Sequence, residues 1–454
     1  MLSIYNSLSK QKEEFIPLNP DHVKFYSCGP TVYNKIHIGN ARAFISADLL
    51  SKVLKGIYPK VTYVSNITDI DDKIIKASKE ENLTIKELTK KYFDFYMQDI
   101  GLIGINPPDI QPFATNFITE MIEYIERLIS LEKAYEIDGN VLFRVNAFKN
   151  YGCLSGRKID EQEHGKRVEI ESYKENENDF TLWKPSLKDE PGWDSPWGYG
   201  RPGWHLECSV MSEITLDIPF DIHGGGNDLK FPHHENEIAQ SCACNGLDDA
   251  RDFAKYWVHN GFLNLESEKM SKSLGNVIYI EDLIKEYKGN HIRLALLSTQ
   301  YRQPIPWSKT LLNQAKSISN KISDFIDKNE YVEPKFIAST NIAAALFDDL
   351  NTPGYIAKLH ELYNKAINGD SSDKQLFNQA CNLIGLLLED KNKWSSYKKA
   401  NLNISEKEII QRINERNKAR KNNNFELADK IRNELFENGI LIEDKDDTTS
   451  WKYK

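Results

Sequence analysis

The sequence predicts an α/β protein: a Rossmann-type parallel-sheet catalytic core with an insertion, followed by a mainly α-helical C-terminal region. Three observations point there. Short β-prone runs, glycine breaks and apolar-periodic helices alternate through residues 20–110, the pattern of one half of a parallel sheet with crossover helices. The same style returns over 201–265, after a polar, turn-rich stretch at 140–200. From about residue 310 onward apolar residues recur at helical spacing, through Leu311, Ile318, Ile322 and Phe325 and again through Ile342, Leu346, Leu350 and Leu359.

Taken in order, Val23-Lys24-Phe25-Tyr26-Ser27 is short and partly alternating and predicts a first strand. Gly29-Pro30 breaks it, and Gly39-Asn40-Ala41-Arg42-Ala43-Phe44 opens a helix reaching about Leu54. Phe117, Ile118, Met121, Ile122, Ile125, Leu128 and Ile129 keep one helical face apolar. Residues 216–222 are strand-like and run into a glycine-rich turn, His223-Gly224-Gly225-Gly226-Asn227-Asp228. Asn351-Thr352-Pro353-Gly354 punctuates the helical region, and a polar linker at 391–396 precedes the tail. There Ser405-Glu406-Lys407-Glu408 is a capping box, Asn422-Asn423-Asn424 is a turn, and a second helix over 425–437 stops at Gly439 before a short strand at 440–444. The expected division is 1–120, first half of the core; 121–200, connecting insertion; 201–265, second half; 266–325, a loop bearing Lys269 and Lys272 with the segment after it; 326–395, helical bundle; and 396–454, a small tail domain.

At 454 residues the chain is long enough for two to four domains with a sizeable core. Its 40% hydrophobic and 28% charged residues are ordinary for a globular protein, and a net charge of −9 does not mark a general nucleic-acid binder. Any such surface must be local. Residues 407–432 carry eight Lys or Arg against four Asp or Glu, with Arg412, Arg416, Lys418, Arg420 and Lys421 as a basic stripe. Six cysteines without disulfide-framework spacing, no signal peptide and no apolar run of spanning length predict a reduced, cytoplasmic setting and no membrane partner.

Two short motifs carry the chemistry. His37-Ile38-Gly39-Asn40 lies between the first strand and its helix, and Lys269-Met270-Ser271-Lys272-Ser273 stands about 230 residues later. Alone, the first also reads as a turn with a surface histidine and the second as a solvated basic loop. Together they imply attack of a carboxylate on the α-phosphate of ATP, giving an acyl-adenylate. The departing triphosphate gains charge, and an imidazole, a helix N-terminus and flexible ammonium groups answer that need. Gly39 lets nucleotide approach the backbone, although the Gly-rich dinucleotide fingerprint is absent. Asp69, Asp71 and Asp72 read as a solvated strand-to-helix turn rather than a metal cluster, and Cys242-Ala243-Cys244 as small buried helix residues. Spacing alone assembles no metal site.

SCGPTVYNKIHIGNAR, NITDIDDKI, PGWDSPWGYGRPGWHLECS, DIHGGGNDLKFPHHENEIAQS and KMSKSLGN, in this order and with the tail, resemble the class I aminoacyl-tRNA synthetases, closely their cysteine-specific branch, over essentially the whole chain. The family's first signature usually ends in histidine; here it ends in Asn40. The resemblance implies that His37, Asn40, Lys269 and Lys272 are catalytic, and that these with Gly39 and Asp228 bind ATP, which brings Mg²⁺. It implies an amino-acid pocket at Gly29, Thr68, Trp204 and His223. It also implies one Zn²⁺ per subunit on Cys28, Cys208, His233 and Glu237, with the adjacent His234 a competing ligand. L-cysteine, ATP and tRNA(Cys) are the implied partners of a monomer, with Arg412, Arg416, Lys418, Arg420 and Trp451 facing the tRNA. Zinc would act as selector: a thiol gives up its proton to a metal bond of about 2.3 Å that a serine hydroxyl cannot replace. A required polar contact of this kind discriminates by about 10⁴ or more, so no editing domain is expected, and no long insertion offers room for one.

Overall fold

Four parallel strands form the centre of the larger unit, in the spatial order Ala254–Asn260, Phe220–Gly226, Val23–Ser27, Val61–Ser65. Phe25 lies between Ile222 on one neighbour and Tyr63 on the other. The chain winds one way from Val23–Ser27 to Val61–Ser65 and the other way from Phe220–Gly226 to Ala254–Asn260. The two halves therefore meet between Val23–Ser27 and Phe220–Gly226, a topological switch point whose carboxyl edge is where open α/β sheets bind ligands. This computed structural model describes residues 1–157, 174–265, 268–269, 277–327, 343–386, 406–422, 424–438, 440–445 and 448–453.

The helix Ile38–Ile57 covers the sheet with Ile38, Ala41, Ile45, Leu49 and Val53, all buried. Beyond it the helices Trp204–Leu216 and Glu235–Asn245 are packed by Ile118–Ser130, whose Met121, Ile125 and Leu128 are fully buried and contribute roughly 1.5–3 kcal/mol each. Between the halves an antiparallel sheet runs in the order Ala134–Ile137, Asn140–Phe143, Phe180–Pro185, Gly200–Pro202.

The strand expected over 216–222 is displaced. Leu216 ends a helix, Asp217 turns the chain at φ 56°, and the strand is Phe220–Gly226, so the three glycines are extended rather than a turn. Packing gives the reason. A Cβ on Gly224 would stand 3.1 Å from the Phe25 ring, and one on Gly225 would stand 2.8 Å from the His234 ring.

After the second half, Leu263–Leu265 pairs in parallel with Ile305–Trp307 and antiparallel with Glu268–Lys269. Helices Gly289–Leu297, Lys309–Asp327, Thr352–Asn368 and Ser371–Leu383 follow. The punctuation at 351–354 is a helix start: the Asn351 side chain accepts from Gly354 N at 2.9 Å.

The chain divides into two compact units, Met1–Ile322 with Tyr331–Leu387, and Ser323–Glu330 with Leu388–Lys454. In the second, helices Glu406–Lys421 and Phe425–Glu437 pack on the hairpin Ile440–Lys445/Thr448–Tyr453 around Ile409, Ile413, Ile431, Leu435, Ile440 and Ile442. Trp451, across the hairpin from Ile442, packs against this core. Arg416, expected at the RNA-facing surface, is turned inward, its side chain 4% exposed and bidentate on Asp444 at 2.6 and 2.9 Å. The helical period explains this: Arg416 shares the face of Ile409 and Ile413, while Lys418 and Arg420 are exposed. Arg412 pairs with Glu415 and Glu434, and Arg420 with Asp444. Ser405, Asn423, Gly439 and the 391–396 linker lie outside the described residues.

Candidate active site and metal centre

The residues just past the four strand ends, Cys28 and Gly29, Asn66 and Thr68, Asp228, and Gly261, line one cleft of about 370 Å³. His37, Gly39, Asn40, Trp204, Cys208 and His233 line it too. The signature motif is the start of a helix. His37 is the N-cap, its Nδ1 accepting from Asn40 N at 3.2 Å while Asn40 Oδ1 accepts from His37 N at 3.2 Å. Asn40 thus closes a reciprocal capping box, which keeps the helix N-terminus formed where an anion would meet it.

The lysine motif is fixed at both flanks. Lys269 pairs through its backbone with Asn264, and on the exit side Ile38 N donates to Ile278 O at 2.9 Å and Ile280 N to Ile36 O at 3.2 Å. Tyr279 is bridged directly to His37. The two motifs, far apart in sequence, are stitched together. Lys272 itself lies outside the described residues.

At the other end of the cleft Cys28, Cys208, His233 and Glu237 bring one donor atom each within 4.8 Å of the others, all buried. Cys28 follows the Val23–Ser27 strand, Cys208 lies on the helix Trp204–Leu216, and Glu237 stands one turn past His233. The two sulfurs are 3.8 Å apart and His233 Nε2 is 2.9 Å from Glu237 Oε1. A tetrahedron with metal–sulfur bonds of ~2.3 Å has sulfur–sulfur edges of about 3.8 Å, so the cluster fits a zinc-sized ion. Electrostatics prepares the same donors. A hydrogen bond from Cys28 outweighs burial and brings the Cys208 thiol down to about 6, whereas burial pushes Cys28 well up. Burial opposes charge on His233, but Glu237 and Cys208 outweigh it and hold the imidazole near 10. Burial also opposes charge on Glu237, which His223 and His233 nevertheless keep well below the usual carboxylate range.

The neighbouring histidine is close by as well. His234 Nε2 is 3.3 Å from Cys28 Sγ, its Nδ1 is 2.8 Å from His259, and Cys28, His223, His234 and Glu237 form an overlapping set. His223 departs from expectation. It does not line the cleft but lies fully buried behind Glu237, Nε2 to Oε2 2.7 Å, with its ring stacked on Trp257. It holds the Glu237 carboxylate from behind.

Gly29, Thr68 and Trp204 line the same cleft. Gly29 N donates to Asn66 Oδ1 at 2.9 Å, and a Cβ there would stand 1.6 Å from Asn66 O, so no other residue fits. The Thr68 hydroxyl is 2.8 Å from buried Glu207, and Trp204 stacks on His233 with ring centroids 4.3 Å apart. Sequence reading missed Asn66, Glu207, His205 and His259, and the available signal was clustering: five of ten histidines fall between 205 and 259. Among the described residues no helix is long and apolar enough to cross a membrane.

Comparison with known proteins agrees with this geometry. A family model for the tRNA synthetases class I (C) catalytic domain matches residues 14–317. The chain is 48% identical over 453 residues to a cysteine--tRNA ligase of Pelagibacter ubique (strain HTCC1062), covering 99% of this chain and 98% of that one. It is 43% identical to the same-named protein of Wolbachia pipientis subsp. Culex pipiens (strain wPip), again over 99% of this chain and 98% of the relative. In fold it is similar to Mycobacterium tuberculosis methionyl-tRNA synthetase in complex with methionyl-adenylate, with TM-score 0.56 and 13% identity over 84% of this chain and 94% of that one. With its parallel sheet, its stitched motifs and relatives of this similarity along its whole length, the chain belongs to the class I aminoacyl-tRNA synthetases, in the cysteine--tRNA ligase family.

Proposed function

We propose that the one cleft carries both steps of cysteine–tRNA ligation: ATP-dependent activation of L-cysteine to cysteinyl-adenylate, then transfer to the 3′ end of tRNA(Cys). The observation that carries this reading is the convergence of four thiol, imidazole and carboxylate donors within 4.8 Å in the cleft that also takes the signature helix. Gly29, Thr68 and Trp204 wall the amino-acid pocket, and Asp228 offers a carboxylate to ribose hydroxyl or amine. His37, the Gly39–Asn40 helix end, Lys269 and Lys272 answer the charge that develops on the triphosphate, and Mg²⁺ enters with ATP. Cys28, Cys208, His233 and Glu237 are the residues that would hold one zinc per subunit. A zinc ion there supplies a thiophilic Lewis acid that a serine hydroxyl satisfies poorly. Among the two histidines, His233 is the assignment, because its set includes both sulfurs.

The six-segment division from 1–120 to 396–454 is part of the same reading, with the last segment approaching the anticodon through Lys418 and Arg420, Arg412 and Trp451 lending support. The protein works as a cytoplasmic monomer. The test is cysteine-dependent ATP–pyrophosphate exchange and tRNA(Cys) charging on one preparation. Both activities are expected, with serine giving neither. Exchange without charging would instead identify a ligase that passes cysteine to a small amine, and tRNA binding without exchange a non-catalytic RNA sensor.

A further inference from the structure

Arg42 stands two residues past Asn40 on the signature helix, is 2% exposed and does not line the cleft. Among the described residues its guanidinium donates to backbone carbonyls alone. Nη1 donates to Gly261 O at 2.9 Å and Phe262 O at 2.6 Å, and Nη2 donates to Gln300 O at 3.3 Å and to Gln303 O. No carboxylate among the described residues pairs with it, and burial lowers its pKa only to about 10, so it is charged at neutral pH. Burying an uncompensated guanidinium is costly, and an apolar side chain would fill a helix–loop contact more cheaply.

The four carbonyls belong to two loops, and each loop runs into a strand. Residues 261–262 lead into Leu263–Leu265, and 300–303 lead into Ile305–Trp307, its parallel partner. The Leu263–Leu265 strand also carries Glu268–Lys269 on its edge. Gly261 lets the loops touch: its N donates to Tyr301 O at 2.8 Å, and a Cβ there would stand 2.4 Å from Arg302 O. A planar fork of donors can hold both loops at once, which a lysine ammonium cannot.

We propose that Arg42 is a positioning residue for adenylate formation: it pins the base of the strands that carry the lysine motif to the helix that carries His37 and Asn40. The triphosphate then meets both sets of donors at one fixed separation. The proposal rests on the reading of Lys269 and Lys272 given above.

A double-variant cycle on the full-length, zinc-loaded protein tests it, using ATP–pyrophosphate exchange with kcat and KM resolved. Arg42→Lys is expected to lower activation kcat by on the order of 10- to 100-fold, with KM for cysteine and bound zinc unchanged. Gly261→Ala, which forces the loops apart with Arg42 intact, is expected to give the same split, and it decides the matter if Arg42→Lys does not fold. Combined with Lys272→Ala, either change is expected to add little, since both remove the same aligned contact. Losses that multiply in the double variant, unchanged kcat in both single variants, or a cysteine KM that rises in step with lost turnover overturn the proposal. Full activity in Lys272→Ala alone overturns the lysine reading and this proposal with it, whereas a normal Lys272→Ala loss with multiplying effects overturns Arg42 alone.

Discussion

At the strand ends of the larger unit Cys28, Cys208, His233 and Glu237 turn their donor atoms toward one point, and among the described residues no Lys or Arg is paired with the buried Glu237 carboxylate. In the C-terminal unit Arg412, Arg416 and Arg420 turn theirs onto Glu434 and Asp444, and the charges pair off. Both regions attract attention in the sequence by their charge and their unusual residues. They differ in what is left over once the chain has satisfied itself. A buried carboxylate among thiols and imidazoles has the donor set of a metal site, whereas an arginine locked on a carboxylate is scaffolding. A basic stripe counted along a helix therefore overstates the surface available to RNA, and a scattered set of thiols and imidazoles understates a metal centre.

The largest effect expected from this contrast lies in the metal centre. Cys208→Ser should lose zinc and cysteine activation together, by more than about 10²-fold, with the unfolding transition of the larger unit little changed. Cys208 belongs to the buried core of that unit, but serine changes one atom and keeps the shape of the side chain. Metal analysis alongside pyrophosphate exchange checks it. Full zinc occupancy in the variant would remove Cys208 from the ligand set, and a zinc-stripped yet fully active protein would remove the metal from the mechanism.

Next is the lysine motif. Lys272→Ala should lower the activation rate about 10²–10³-fold while leaving ground-state ATP affinity nearly unchanged, because its contact strengthens as charge develops on the departing pyrophosphate. Pre-steady-state kinetics separates the two quantities. A rise in the KM for ATP at constant turnover would make the motif a plain binding element.

Much of this was legible in the sequence. The strand Val23–Ser27 falls on a short β-prone run buried at four of its five positions, and the helix Phe425–Glu437 falls between the asparagine turn and the glycine that bound it in the sequence. The four metal-ligand candidates required resemblance, since they come from three separate stretches of the chain and only the fold brings them together. His223 and Arg416 were misplaced for one reason: a polar side chain beside a motif looks like part of it, and only burial reveals whether it faces ligand or packs behind. Glu207 and Asn66 passed unnoticed because single buried polar residues have no spacing signature. The glycines at 224–226 looked like a turn, although they serve close packing in a strand.

A smaller effect lies in the tail. Asp444→Asn leaves buried Arg416 without its carboxylate and should destabilise the C-terminal unit by roughly 1–3 kcal/mol, sparing pyrophosphate exchange. The pH dependence follows from the same pair. The hydrogen bond from Arg416 holds Asp444 below the usual carboxylate range. Its contribution is therefore fully present above the unfolded carboxylate pKa of about 3.9 and is lost as pH falls through the lower folded value. Acid titration of tail unfolding in the natural protein and in Asp444→Asn should converge at low pH. Curves that stay parallel would mean that the pair adds no stability.

The smallest expected effect separates exposed from buried basic residues. Lys418 is exposed and has no ion-pair partner among the described residues, so Lys418→Ala should leave the tail folded and pyrophosphate exchange unchanged. If Lys418 meets a phosphate, tRNA binding should weaken modestly, and the slope of log K against log salt should flatten by about 0.7–1, one counterion fewer being released. Arg416→Ala should behave in the opposite way. Its loss removes the buried, bidentate partner of Asp444 and loosens the unit, so tRNA affinity should fall together with thermal stability of the tail. Measuring the salt slope and tail unfolding on both variants places each residue. If Lys418→Ala leaves the slope intact while Arg416→Ala flattens it in a tail that remains folded, the inward arginine reaches RNA after all, and the division between paired scaffolding and free contact surface fails.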